Sequence, residues 1–333
     1  MIRVPFERMY GEFYRVLKKI GFDENKAALC GRLFAEASRD GVYTHGLNRF
    51  PGFVAEVKAG NVMINGFPEK VADLAGLEIW DGKLGPGNVN AHFSMNHAME
   101  LARQNGIGCV ALRNTNHWMR GGAYGWQAAE AGYVGICWTN TSPLVPPWGA
   151  TEPKVGNNPL ILAVPRAAGP IVLDMSMTMF SFGKIETYIR KGELLPVDGG
   201  FTQNGEVTRN PKEILESRRP MPIGLWKGTG LALLLDLIGL FLSGGNSTYQ
   251  LGKQNQTGGF SQIFLAFNIS GLPHRDSLPQ MVEEIIEDFH RAQPEHESEK
   301  VLYPGERVIQ TRLENPKKGI PVEELFWNQV INM

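Results

Sequence analysis

The segment GVYTHGLNRF, residues 41–50, places a histidine, His45, four residues before an arginine, Arg49. On a helix these side chains lie one turn apart, where two cation-capable groups repel mildly unless an anion sits between them. A carboxylate substrate would be such an anion. Arg49 would grip it through two parallel hydrogen bonds, and an imidazolium with a reference pKa of about 6.5 would supply a proton nearby. A second reading makes Thr44 the N-cap of the following helix, with Leu47, Phe50, Val54 and Val57 as its apolar stripe and His45 and Arg49 as a polar edge. Composition and spacing leave both open.

His117 ends the stretch RNTNHWMRGGAYG, where a β-like run stops and a Gly-Gly turn leads into a helix. Loops at strand ends are where rigid scaffolds place chemistry, although a turn-stabilising role fits equally. Asp174 follows the apolar run IVL and falls near a strand end, as a ligand-binding group or as an Asx turn. Of the remaining histidines, His274, His290 and His296 lie in polar surroundings. His92 and His97 are five apart, off a common helix face and poorly spaced for a chelate, so no metal site is expected. The loops PPWGA (146–150), GNNP (156–159) and LPVDGG (195–200) line a pocket or merely turn the chain.

The usual dinucleotide signature, a strand, then G-x-G-x-x-G, then a helix, is missing. GIGCVA at 106–111 has the spacing but opens a strand, and GTGLAL at 228–233 opens a helix but lacks the third small residue. The amides of that helix start, with Trp226 and Lys227, can still hold an anion. No Walker A, G-x-S-x-G, H-E-x-x-H or C-x-x-C motif occurs.

The elements that must position these groups belong to an α/β chain of 333 residues, long enough for two parts. Three helices open it: FERMYGEFYRVLKKIG, ENKAALCGRLFAEASRDG and LNRFPGFVAEVKAG. Short β-like runs follow, among them LEIWDG, CVALRNT, YVGICWTNT, PLILAVPR and PIVLDMSM, alternating with helical pieces. SLPQMVEEIIEDFHRAQ reads as a surface helix, PEHESEK as a solvated loop, and PVEELFWNQVINM as an amphipathic tail that can return to the opening helices. The apolar run GLALLLDLIGLFLSGG is short for a membrane span and carries Asp236, so a buried helix is expected. With 33 basic and 34 acidic residues, nothing favours nucleic acid or an anionic membrane as partner. Cys30, Cys109 and Cys137 each sit in an apolar run, as buried reduced thiols do, and the start reads as neither a signal peptide nor a transit peptide. A cytoplasmic protein is expected.

Taken together, VYTHGLNRFP, ALRNTNHWMRGGAYGWQAAEAGYVGICWTN, PPWGA, VLDMSMTMFS, LPVDGGF, LWKGTG and YPGER resemble the type-2 malate and L-lactate dehydrogenase family of NAD(P)-dependent oxidoreductases, whose cofactor fold is not Rossmann. The likeness is strongest to its 2,3-diketo-L-gulonate-reducing branch. It implies a non-Rossmann NAD-binding α/β body, residues 76–307, with a helical domain from residues 1–75 and 308–333, in a cytoplasmic homodimer. It also implies NADH-driven reduction of a 2-keto group beside a carboxylate in a 2-oxo sugar acid. On the matching residues, His45 is the proton donor, Thr44 and Arg49 meet the substrate, and His117 orients it. Ile171, Val172, Leu173, Asp174, Met175 and Ser176 hold the cofactor with Trp226, Lys227, Gly305, Glu306 and Arg307. Trp118, Met119 and Arg120 stand where the broader family carries small residues, which makes Arg120 a candidate for specificity and argues against lactate or malate. Thr44 replaces a common serine and Asn157 a common threonine. Residues 268–300 match poorly and carry nothing over. Competing expectations are another 2-oxo acid or cyclic imino acid as substrate, or a non-catalytic sugar-acid binding protein.

Overall fold

The computed structural model describes residues 2–254, 257–296 and 300–333, so part of the PEHESEK loop lies outside the described residues. Short strand β1 (Ile2–Val4) is followed by α1 (Phe6–Lys19) and α2 (Glu24–Arg39). In α1 the helical spacing of Met9, Phe13, Val16 and Leu17 turns one stripe inward, and α2 starts where Asp23 accepts a hydrogen bond from the Lys26 amide at 2.9 Å. A single 3₁₀ turn, Tyr43–His45, separates α2 from α3 (Phe50–Lys58).

The helix expected to be capped by Thr44 therefore begins five residues later than Thr44 would place it. Pro51 sits in the first turn of α3, where its fixed φ and missing N–H cost nothing. Residues 46–49 are instead turns, with the Phe50 amide reaching back to the Gly46 carbonyl. Thr44 and His45 project from a bend, not from a helix face.

The body follows as β2 (Glu69–Leu74), β3 (Leu77–Asp81), α4 (Gly87–Asn105), β4 (Ile107–Thr115), α5 (Gly122–Glu130), β5 (Tyr133–Thr139), β6 (Leu160–Val164) and β7 (Ile171–Met175). Next come α6 (Phe182–Lys191), the hairpin β8 (Gly200–Phe201) and β9 (Val207–Thr208), α7 (Pro211–Ser217), α8 (Trp226–Ser243) and α9 (Thr248–Gln254). The chain closes with β10 (Phe260–Asn268), α10 (Leu278–His290), α11 (Glu306–Lys318), β11 (Ile320–Val322) and α12 (Glu324–Ile331). A seven-stranded sheet runs β2-β3-β4-β10-β5-β6-β7. Only β3 and β4, joined across α4, are parallel; every other neighbouring pair is antiparallel. The strand-end rule for open parallel sheets therefore does not govern Asp174, which lies near the end of an antiparallel edge strand. Strand β10, absent from the β-like runs named above, is central: FSQIFLAFN inserts between β4 and β5, with Phe264 opposite both Val110 and Cys137.

Helices α4 and α5 cover one face of the sheet, burying Met95, Trp118, Tyr124 and Phe264 together. Helix α8 covers the other face with Ala232 and Leu235 over Trp138 and Ile263. A third core joins α1, α2 and α3 to the tail through Trp327, Val330, Ile320 and Val322, with β11 pairing antiparallel to β1. The expectation of a buried helix at 230–245 needs correction. Helix α8 buries Gly228, Ala232, Leu235, Asp236 and Gly239 but exposes Leu233, Leu234, Leu237, Ile238 and Phe241, the last at 83 %. Among the described residues it is the one helix long and apolar enough, by length and composition, to cross a membrane. Asp236 points inward, where its carboxylate accepts from Asn140 Nδ2 at 2.9 Å and from the Thr248 amide at the start of α9. Cys30, Cys109 and Cys137 are buried and free, and burial pushes the thiols of Cys30 and Cys109 up to about 12.

The parts are tied by Asp40, whose side chain has no solvent exposure. It pairs with Arg120 ahead of α5, with Arg312 of α11 at 2.7 Å and with Arg39 at 2.9 Å. Burial pushes the Asp40 carboxyl up, but Arg120, Arg312 and Arg39 outweigh that and hold it below its ordinary value. This stabilisation is present above the unfolded carboxyl's pKa, about 3.9, and is lost as pH falls through the lower folded one. Asp40→Ala strands the buried Arg120 charge, and urea denaturation at neutral pH should show a loss of about 3–5 kcal/mol. Parental stability in that variant would remove Asp40 as the tie.

Candidate active site

A cleft between the helical segment after α2 and the sheet edge has two lobes. The first, about 400 Å³, is lined by Trp126, Val172, Asp174, Pro304, Gly305 and Val308, among others. The second, about 500 Å³, is lined by Asn48, Arg49, Phe182, Glu186, Arg190 and Phe326, among others. Thr44, His45, His117, Thr141, Asn157 and Ser181 belong to both, so the two histidines stand where the lobes meet.

Ser38, in the last turn of α2, sets His45. Its hydroxyl donates to the Phe34 carbonyl and accepts the Leu47 amide at 2.8 Å. Gly46 lies flat on that hydroxyl, and a Cβ there would sit 2.1 Å from Ser38 Oγ, so only glycine permits the approach. The bend is thus pinned one residue beyond His45. Thr44 Oγ1 lies 3.2 Å from His45 Nδ1 and leaves the ring's Nε2 to the cleft.

His117 is set from the sheet. The β4–β10 register slips between Phe260 and Gln262, so Arg113 and Asn114 bulge opposite Ser261, and Asn114 turns to φ +52°. Asn116 then anchors the loop, donating to the Leu84 carbonyl at 2.6 Å and the Gly85 carbonyl at 3.1 Å, while Gln262 Nε2 donates to its carbonyl. Trp118 is buried in the sheet core and its carbonyl accepts the Tyr124 hydroxyl. Two anchored segments bring the rings of His45 and His117 parallel, 5.9 Å apart and 11° from coplanar stacking.

Charge around the pair is mixed. Burial lowers the His45 pKa, Arg49 and Arg120 lower it further, and Asp174 acts against them. Burial, Arg49 and His45 together hold His117 well below the ordinary histidine value. Both imidazoles are neutral near pH 7, and an anion placed beside Arg49 favours the charged form of either.

Of the residues expected in the site, the cleft brings together Thr44, His45, Arg49, His117, Arg120, Val172, Leu173, Asp174, Ser176 and Gly305. Ile171, Met175, Trp226, Lys227, Glu306 and Arg307 do not line it. Met175 packs in the core on the α8 side of the sheet. Trp226 and Lys227 are exposed at the start of α8, and Arg307 is exposed on α11. The Glu306 carboxylate is occupied by His290 Nε2 at 2.8 Å and the Tyr303 amide. Arg120 lines the first lobe only, away from Arg49, and is held by Asp40. It is a wall of the cleft before it is a specificity group. Thr141 and Ser181 escaped the sequence reading, although Thr141 closes the polar strand end WTNT. Its hydroxyl donates to Asn157 Oδ1 at 3.0 Å and accepts the Asn157 amide at 3.1 Å, joining the GNNP loop to the cleft.

The sequence profile of the malate/L-lactate dehydrogenase family matches residues 4–331. The chain belongs to that family. It is 42 % identical over 331 residues, 99 % of each chain, to proteins named 2,3-diketo-L-gulonate reductase from Salmonella paratyphi B and Salmonella heidelberg. Among solved structures it resembles malate dehydrogenase from Pyrococcus horikoshii, 28 % identical with TM-score 0.89 over 99 % of this chain and 95 % of that one. A putative malate/lactate dehydrogenase from E. coli is likewise 28 % identical, with TM-score 0.92 over 100 % and 94 %. As a family member the chain is an oxidoreductase of hydroxy and keto acids and draws on a nicotinamide cofactor. The first lobe suits such a group. Val172, Trp126 and Val308 offer apolar walls, and Arg120, which lines it, keeps its Nε buried without a hydrogen-bond partner among the described residues.

Proposed function

We propose that this chain is an NADH-dependent reductase of 2,3-diketo-L-gulonate, converting its 2-keto group to the hydroxyl of 3-dehydro-L-gulonate. The observation that carries the reading is the stacked His45–His117 pair beside Arg49 at the junction of two lobes. The full-length similarity to the Salmonella reductases supports the substrate. The first lobe would take the cofactor, with Val172, Leu173, Asp174, Ser176 and Gly305 against it, and the second the sugar acid. When bound, the cofactor supplies the hydride. Arg49, which forms no ion pair among the described residues, holds the substrate carboxylate through two parallel hydrogen bonds. That anion offsets the cations around His45, so the imidazole takes up the proton it then gives to the carbonyl oxygen from Nε2. Thr44 fixes the ring through Nδ1. His117 orients the same oxygen. NADH over NADPH follows the family resemblance, and three buried free thiols support a cytoplasmic setting.

A panel of 2-oxo acids followed by NADH absorbance tests the substrate: diketogulonate should be turned over fastest, and pyruvate or oxaloacetate running far ahead of it would sink the assignment. His45→Ala should lose turnover while keeping NADH binding.

Because the acid form of His45 is needed for reduction and its pKa lies below the ordinary value, kcat/KM should fall as pH rises above that lowered pKa. Arg49→Gln removes a cation beside it, so the limb should move to higher pH while KM rises. An unmoved or acid-shifted limb would take Arg49 out of the site.

We propose further that the chain works as a homodimer closed through α8. Its exposed residues Trp226, Leu233, Leu234, Leu237 and Phe241 recur at helical spacing and form an apolar stripe of the kind that marks an interface. Phe241→Asp should halve the mass seen by sedimentation, and an unchanged mass would place the interface elsewhere.

A further inference from the structure

The two histidines at the lobe junction are alike in burial but not in bonding. The His45 ring meets a hydroxyl at Nδ1, and a hydroxyl can either donate or accept. The His117 ring meets a main-chain amide. The Met119 N–H points at His117 Nδ1 across 3.0 Å. An amide can only donate, so Nδ1 must present its lone pair and the ring's proton must sit on Nε2. A cationic ring would set N–H against N–H and lose this bond.

The amide reaches that position through an unusual backbone. Met119 adopts φ +63°, the left-handed region that non-glycine residues seldom occupy. The conformation is held on both sides. Trp118 and the Met119 side chain are buried, Met119 in the core beneath α1–α3, and the intervening Trp118 carbonyl is fixed by the Tyr124 hydroxyl. Backbone strain of this sort persists only where the surroundings over-determine it, and it collects at functional sites.

We propose that Met119 is a positioning residue: its main-chain N–H locks His117 as the neutral tautomer protonated on Nε2, leaving proton exchange to His45. His117 then offers the substrate carbonyl a neutral N–H donor, which polarises the oxygen without adding a second titrating proton. The charged groups around it agree. His45 from the 3₁₀ turn and Arg49 from the start of α3 disfavour a cation there. Glu56 of α3, across the smaller cavity behind the ring, is engaged by Asn61 at 2.7 Å, and Glu186 and Arg190 of α6 face the second lobe together. The division of labour between the histidines rests on the reductase reading above, whereas the tautomer does not.

The test is imidazole nitrogen NMR on the full-length protein labelled at histidine, without substrate, with His117 assigned from the spectrum of His117→Gln. His117 should show a protonated Nε2 and bare Nδ1, unchanged from about pH 5 to 8, where an unperturbed histidine titrates. Met119→Gly keeps the amide and tolerates the left-handed backbone, so it should keep that signature. Met119→Val disfavours the backbone and should release Nδ1, so that His117 samples both neutral tautomers and kcat falls more than KM rises. The proposal is overturned by a wild-type His117 protonated at Nδ1 or titrating normally, by a changed tautomer in Met119→Gly, or by an unchanged one in folded Met119→Val. Should Met119→Val not fold, the wild-type and Met119→Gly spectra decide. Because the spectra are taken without substrate, failure of the tautomer lock and failure of the diketogulonate reading are separate results.

Discussion

The buried contact between Asp40 and Arg120 sets where everything else in the cleft can be. Asp40 caps the end of α2, five residues before His45, and Arg120 stands three residues after His117. A single ion pair, eighty residues apart in the chain, therefore clamps together the two segments that carry the histidines. Its worth is not chiefly net stability, since burying charges costs much of what their attraction returns. Its worth is registry. A charge with no solvent exposure tolerates few alternative placements, so the segments can dock only where Asp40, Arg120 and Arg312 meet.

Around that clamp each histidine has its own local fastening, and the fastenings differ in kind. His45 rides on a bend pressed against Ser38, where a glycine without a side chain lets two backbones touch. His117 rides on a loop launched from a β-bulge and tethered through Asn116 and Trp118 to the sheet. The sheet is itself held by its last-arriving strand. β10 supplies Gln262 to the His117 loop and Ser261 to the Asn140–Asp236 network, so the site depends on a segment near the end of the body.

The cleft's chemistry follows from what surrounds it more than from what it contains. Burial, with Arg49 beside both imidazoles, outweighs the opposing Asp174 carboxylate and lowers both histidine pKa values, and an anion beside Arg49 would favour their charged form. That arrangement fits a substrate that brings its own carboxylate. It also separates Arg49, free to meet that group, from Arg120, whose guanidinium is already spoken for by Asp40.

Much of this was legible in the sequence, and the division between what was and was not has a physical cause. Helix periodicity depends on neighbours three and four residues apart, so α1, α2 and the amphipathic tail could be read directly. The family likeness, the buried thiols and the loop at His117 were equally open. The bend that stands in place of a Thr44-capped helix was not, because Pro51 in the first turn of α3 and Ser38, from another helix, decide it. Nor was the exposed face of α8, since a largely apolar helix looks the same whether sheet covers it wholly or on one side. Residue types and local spacing determined which side chains were available for acid catalysis and anion binding. Only the tertiary structure decided that Arg120 belongs to Asp40, that Trp226 and Lys227 stand outside the cleft, and that His117 meets a donor while His45 meets a hydroxyl. Those are contacts between distant segments, and packing and burial select them, not the propensity of any one segment.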